Sequence, residues 1–141
     1  MVEIQIRYEG GLRTRAVHGP SSAELHTDAP LDNHGKGESF SPTDLVATAL
    51  GACMLTVMGI VAERHGWDMR GSRVRVEKSM VSEPVRRIGK LEVWLEMAGE
   101  HDARARETLE RTARTCPVHQ SLRESVEIPL HFEWGAPAPR A

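Results

Sequence analysis

Aromatic side chains are scarce in this chain: three tryptophans, two phenylalanines and one tyrosine among 141 residues. A surface that stacks nucleic-acid bases needs more of them, interleaved with basic residues. Charge of one sign is lacking too, since a net charge of −2 offers a phosphate backbone no attraction. Nucleic acid is therefore not an expected partner. No G-x-S-x-G nucleophile elbow occurs, and HGKGESFSP lacks the spacing of a phosphate-binding loop. The N-terminal MVEIQIRYEG alternates charge and apolarity instead of forming a continuous hydrophobic segment, so no secretory signal is expected. Cysteine is limited to Cys53 and Cys116. Together these features point to a reducing cytoplasm, where a static structural disulfide is disfavoured.

Against these absences stands one long apolar stretch. LVATALGACMLTVMGIVA, residues 45–62, runs 18 residues without a charge, the length at which a membrane span has to be considered. Two glycines, two threonines and four alanines dilute it, and it follows SPTD, a soluble-type helix start. A helix buried on all sides fits better than a membrane segment. Hydrophobic residues make up 40% and charged residues 27%, which suits one globular domain over residues 1–141 with a frayed tail from about residue 135.

Hydrophobic periodicity supplies the elements. Val2, Ile4, Ile6 and Tyr8 alternate with polar residues as a half-buried strand, and Gly10-Gly11 turns the chain into a second strand, LRTRAVH. AELHTDA is a candidate third strand, and residues 29–40 read as a loop. Ser41 caps a helix with Pro42 in its first turn and Asp44 at the capping-box position; Gly66 ends it. Cys53 lies mid-helix, in register with Val46, Ala49, Leu50, Val57 and Ile60. Two long strands follow, with Val74 and Val76 in the first and Leu91, Val93, Leu95 and Met97 in the second. Residues 102–115 form an amphipathic helix whose stripe, Ala105, Leu109 and Ala113, extends to Cys116. Pro117 starts a new short helix, and alternation from Val126 to Trp134 closes the fold with a strand. The order predicts an α+β fold with a largely antiparallel sheet.

Three chemistries remain open for the cysteines. Cys116 precedes Pro117 at a helix start, where aligned backbone N–H groups can lower a thiol pKa below its ordinary value. Cys53, mid-helix, would need a cation or donor from elsewhere in the fold, and reads equally well as a small buried hydrophobe. Cys116 and His119 are spaced as two metal ligands, but the remaining histidines are scattered and no metal site is expected. No cofactor is expected.

SPTDLVATALGACM, followed about sixty residues later by TARTCPVHQSL, resembles the OsmC/Ohr family, the osmotically inducible and organic hydroperoxide resistance proteins, with the broader OsmC-like branch nearest. The resemblance covers nearly the whole chain. It implies an OsmC-like fold, with sheets around a long buried central helix, in an intertwined homodimer whose helices are covered from both chains. It further implies a thiol peroxidase in which Cys53 attacks an organic hydroperoxide, Cys116 resolves the sulfenic acid as a disulfide, and a cellular dithiol restores both. An OsmC-like protein that binds a small hydrophobic ligand beside Cys53 is the alternative. In the family an arginine and a glutamate activate the first cysteine. Nearest to those places are Arg13, one step past Leu12 after the glycine turn, and Asp44, one step past Thr43. Arg13, Asp44 or both are expected near the Cys53 sulfur, with Arg15 and Glu38 as substitutes.

Overall fold

The computed structural model describes residues 1–136. It forms two compact units, Met1–Val46 and Ala47–Ala141. The N-terminal unit is a three-stranded antiparallel sheet of β1 (Ile4–Gly10), β2 (Arg13–His18) and β3 (Glu24–Asp28), with β2 central. The hairpin between β1 and β2 needs left-handed backbone at Gly10, Gly11 and Leu12 (φ 85°, 61° and 62°), which glycine supplies without strain at the first two positions. The third strand, expected from AELHTDA, is present. The expectation that β1 is half-buried fails within this chain. Ile4, Ile6 and Tyr8 point to one face of the sheet and are 57%, 66% and 64% exposed, because this unit is a single layer with no second layer of its own.

The loop 29–40 holds a short 3-10 turn, Leu31–Asn33, before α1 (Pro42–His65) begins. The start of α1 is a reciprocal capping box. The Asp44 N–H donates to Ser41 Oγ (3.1 Å), and the Ser41 N–H donates to Asp44 Oδ2 (2.9 Å). Its end is equally well defined: Gly66, at φ 70°, lets its own N–H reach Glu63 O while the Trp67 N–H reaches Ala62 O, a Schellman closure.

The C-terminal unit contains most of α1, the strands β4 (Arg73–Val81), β5 (Arg87–Ala98) and β6 (Leu130–Ala136), and the helices α2 (Ala103–Arg114) and α3 (Pro117–Ser121). Leu91, Val93, Leu95 and Met97 of β5 have no exposed surface, nor do Leu50, Met54 and Met58 of α1 or Leu109 and Ala113 of α2. Full burial of each Leu or Met contributes about 1.5–3 kcal/mol. Gly51 brings α1 against β4: a Cβ there would lie 3.1 Å from both Val74 and Val76 side chains. Asp102 caps α2 by accepting the Ala105 N–H (2.8 Å).

Two further features differ from the sequence reading. Strand β6 pairs with β5 in parallel, whereas the other three strand pairings are antiparallel. The intervening α2 and α3 provide the long crossover that a parallel neighbour requires. Within the chain, α1 is not buried on all sides. Its buried stripe is Ala47, Leu50, Gly51, Met54, Met58 and Ala62, while Ala52, Thr56 and Ile60 are exposed. By length and composition alone α1 is apolar enough to cross a membrane. Of the expected frayed tail, Gly135 and Ala136 complete β6, and residues 137–141 lie outside the described residues.

On the other face of β5, Trp94 lies between the Arg75 guanidinium, 3.8 Å from the ring centroid, and the His131 ring at 5.2 Å. Trp134 donates its Nε1–H to Glu110 Oε1 (2.8 Å), tying β6 to α2. Trp67 stacks on His65, centroids 4.3 Å apart.

Candidate active site

The C-terminal unit brings its two cysteines together. Cys53, half-buried on the flank of the α1 stripe, and Cys116, fully buried, are both free thiols that approach to near 3.4 Å. Sixty-two residues separate them in sequence, so this meeting is a property of the tertiary fold. Two local devices place Cys116. The α2 stripe of Ala105, Leu109 and Ala113 delivers it to the core, and Pro117 then forces it out of helical geometry, to ψ 139°. There it becomes the N-cap of α3, and its Sγ accepts the His119 N–H at 3.2 Å.

The expected lowering of the Cys116 pKa by the helix start is overturned. Burial pushes this thiol up from the ordinary value of 9.0, and the hydrogen bond and charge of Cys53 push it the same way. The backbone N–H groups of His119 and Val118 pull it down, but less than the desolvation of a thiol with no accessible surface. Sequence reasoning placed Cys116 correctly at the helix start and on the apolar stripe of α2, but did not weigh the desolvation that this stripe imposes on the thiol. The capping role of the thiol was legible in the C-P-V-H spacing, since an N-cap acceptor reaches the N–H three residues on.

The activating groups expected from the resemblance occupy the N-terminal unit. Arg13 Nη1 donates to Glu38 Oε2 at 3.1 Å, with both side chains partly exposed. Asp28, buried at the end of β3, accepts the Glu38 N–H through Oδ2 (3.0 Å) and so fixes the loop that carries the acid. Glu38, the spare acid of the sequence reading, is therefore the partner of Arg13. Arg15 forms a two-pronged pair with Glu24 across the β2–β3 ladder. Asp44 serves the α1 capping box. Among the described residues, no group of three or more His, Cys, Asp and Glu is arranged to hold a metal ion.

Two vicinal thiols, one buried and capped and the other at the edge of the core, form a constellation able to cycle between dithiol and disulfide. Comparison with known proteins identifies the family. Residues 35–131 match the family model described as OsmC-like protein. A protein of Psychrobacter arcticus 273-4 described as an osmotic stress induced and detoxification response protein is 40% identical in sequence. Its structure covers 94% of this chain and 96% of its own, with a TM-score of 0.89. The organic hydroperoxide resistance protein OsmC of Legionella pneumophila shares the fold at 18% identity (TM-score 0.74; 94% and 96% covered). So does the organic hydroperoxide resistance protein OhrB of Bacillus subtilis, also at 18% identity (TM-score 0.69; 94% and 98% covered). No curated protein sequence matches the chain. The matched region spans both the α1 cysteine and the Cys-Pro start of α3, and with 40% identity over nearly the full length of a solved relative it establishes that this chain belongs to the OsmC-like family.

Proposed function

We propose that the protein is a thiol-dependent peroxidase of organic hydroperoxides, with Cys53 as the attacking and Cys116 as the resolving cysteine. The observation that carries this reading is the approach of the two sulfurs to near 3.4 Å. The Cys53 thiolate attacks the terminal oxygen of the hydroperoxide. The O–O bond breaks, Cys53 becomes a sulfenic acid, and the alkoxide leaves and takes a proton to form the alcohol. Cys116 then attacks the Cys53 sulfur. Its thiol proton and the sulfenic hydroxyl depart as water, and a disulfide forms. A cellular dithiol returns both cysteines to thiols and is itself oxidised to a disulfide. The closeness of the sulfurs makes the second step intramolecular and fast relative to further oxidation of Cys53. By the resemblance, Arg13 and Asp44 are the proposed cation and acid that activate Cys53, with Glu38 as the spare acid.

The reading includes a homodimer in the cytoplasm. Supporting the dimer are the exposed Ile4, Ile6 and Tyr8 on one face of β1 and the uncovered Ile60 side of α1, apolar surfaces that a second copy would cover. Stopped-flow oxidation of the reduced protein by an alkyl hydroperoxide, compared with hydrogen peroxide, tests the function. Rapid reaction with the alkyl hydroperoxide, followed by an intramolecular disulfide detected by mass spectrometry, is expected. Slow reaction with both oxidants, together with a retained hydrophobic ligand, would establish the alternative of a binding protein.

A further inference from the structure

We infer that Cys116 acts before any oxidation occurs: its S–H donates a hydrogen bond to Cys53 Sγ and holds that sulfur as the reactive thiolate. The inference rests on the peroxidase reading for its use, but its geometry stands independently. A thiol offers one hydrogen and lone pairs on sulfur. Cys116 has no accessible surface, so its hydrogen cannot be given to water. Its sulfur already accepts the His119 N–H at 3.2 Å, which occupies the side facing α3. The Cys53 sulfur, near 3.4 Å away, lies within reach of that hydrogen.

Electrostatics sets the direction of that bond. Two thiolates this close would repel, so the arrangement disfavours ionisation of both sulfurs together. The retained proton belongs on the more deeply desolvated sulfur. That is Cys116, fully buried, and not Cys53, which keeps partial access to solvent. Burial and the neighbouring Cys53 both push the Cys116 thiol up, in agreement with this order. The resolving cysteine therefore keeps its proton during the attack. It releases that proton only in the next step, when the proton leaves with the sulfenic hydroxyl as water and the sulfur bond forms. Cys116 is in this sense a catalytic residue of the first step as well as of the second.

Three substitutions separate the hydrogen bond from the resolving thiol, because all three remove the thiol. Cys116→Ser keeps an O–H donor, Cys116→Val fills a similar volume without one, and Cys116→Ala serves where valine packs poorly. The first readout is the pH profile of Cys53 alkylation by iodoacetamide, which needs no peroxide. Cys116→Ser is expected to stay close to wild type, while Cys116→Val and Cys116→Ala shift the profile upward by about one unit, a factor of about ten in thiolate at neutral pH. The second readout is the rate of Cys53 oxidation by an alkyl hydroperoxide, expected to fall about tenfold in Val and Ala but not in Ser. Superimposable profiles for all variants, or a serine variant that falls with valine and alanine, would overturn the inference. Should the alkylation profiles separate as expected while wild type is inert to hydroperoxide, the hydrogen bond stands and the peroxidase reading fails.

Discussion

Cys116 is pushed above the ordinary thiol pKa in the folded protein, chiefly because burial disfavours its thiolate. The sign of the linkage follows. The unfolded chain loses this proton near the ordinary value of 9.0, whereas the folded chain retains it to higher pH. The stabilisation is therefore complete below about pH 9 and is lost as pH rises through the folded value. Urea midpoints of the reduced protein at pH 8 and pH 10 should fall more for wild type than for Cys116→Val, which has nothing to ionise there; equal falls would show that burial of this thiol does not matter to stability. Cys53→Ser is expected to abolish peroxide turnover, because the remaining thiol is sealed from solvent. Cys116→Ser should let excess hydroperoxide drive Cys53 to sulfinic and sulfonic acids, visible as mass additions of two and three oxygens. Retained turnover in Cys53→Ser would transfer the attacking role to Cys116.

Elements with contrasting faces were legible in the sequence, and those without contrast were not. The α2 stripe of Ala105, Leu109 and Ala113 stands out because arginines and glutamates fill the other positions, and it is the buried face observed. The β5 alternation was equally readable. The caps at Ser41 and Gly66 fixed both ends of α1 to within a residue. The facing of α1 could not be read. Its run from residue 45 to 62 has no polar side to set a phase, so the register of Val46, Ala49, Leu50, Val57 and Ile60 shares only Leu50 with the stripe the fold selects. The parallel pairing of β6 was hidden because strand alternation carries no direction. The two cysteines of the site were identified from the resemblance; in the N-terminal unit, Arg13 and Glu38 meet through a loop whose path no periodicity encodes. Close contact at Gly51 makes α1 sensitive to bulk. Gly51→Val would drive two methyl groups into Val74 and Val76, and a loss of about 1–3 kcal/mol by chemical denaturation is expected. An unchanged midpoint would mean that the β4 side chains move aside freely. Ser41→Ala opens the capping box and should cost about 1 kcal/mol.

For the molecule as a whole, the exposed apolar residues of β1 bear on assembly. Ile6 is 66% exposed, and on a monomer such a row of side chains is a liability for solubility. Sedimentation velocity of the wild type is expected to give a dimer, and Ile6→Lys should shift it toward the 15.6 kDa monomer or deprive it of a stable fold. A monodisperse wild-type monomer at micromolar concentration would remove the assembly from the proposed function. The division into two units has a spectroscopic consequence. Trp67, Trp94 and Trp134 all belong to the C-terminal unit, and the N-terminal unit has Tyr8 and Phe40 as its aromatic residues. All indole emission therefore originates in the C-terminal unit, where Trp94 is held between Arg75 and His131. Far-ultraviolet dichroism sums the backbone of both units. Coincident fluorescence and dichroism curves would mean that the units melt together, and any gap between them would measure the separate melting of the first 46 residues, which are optically silent in the indole band.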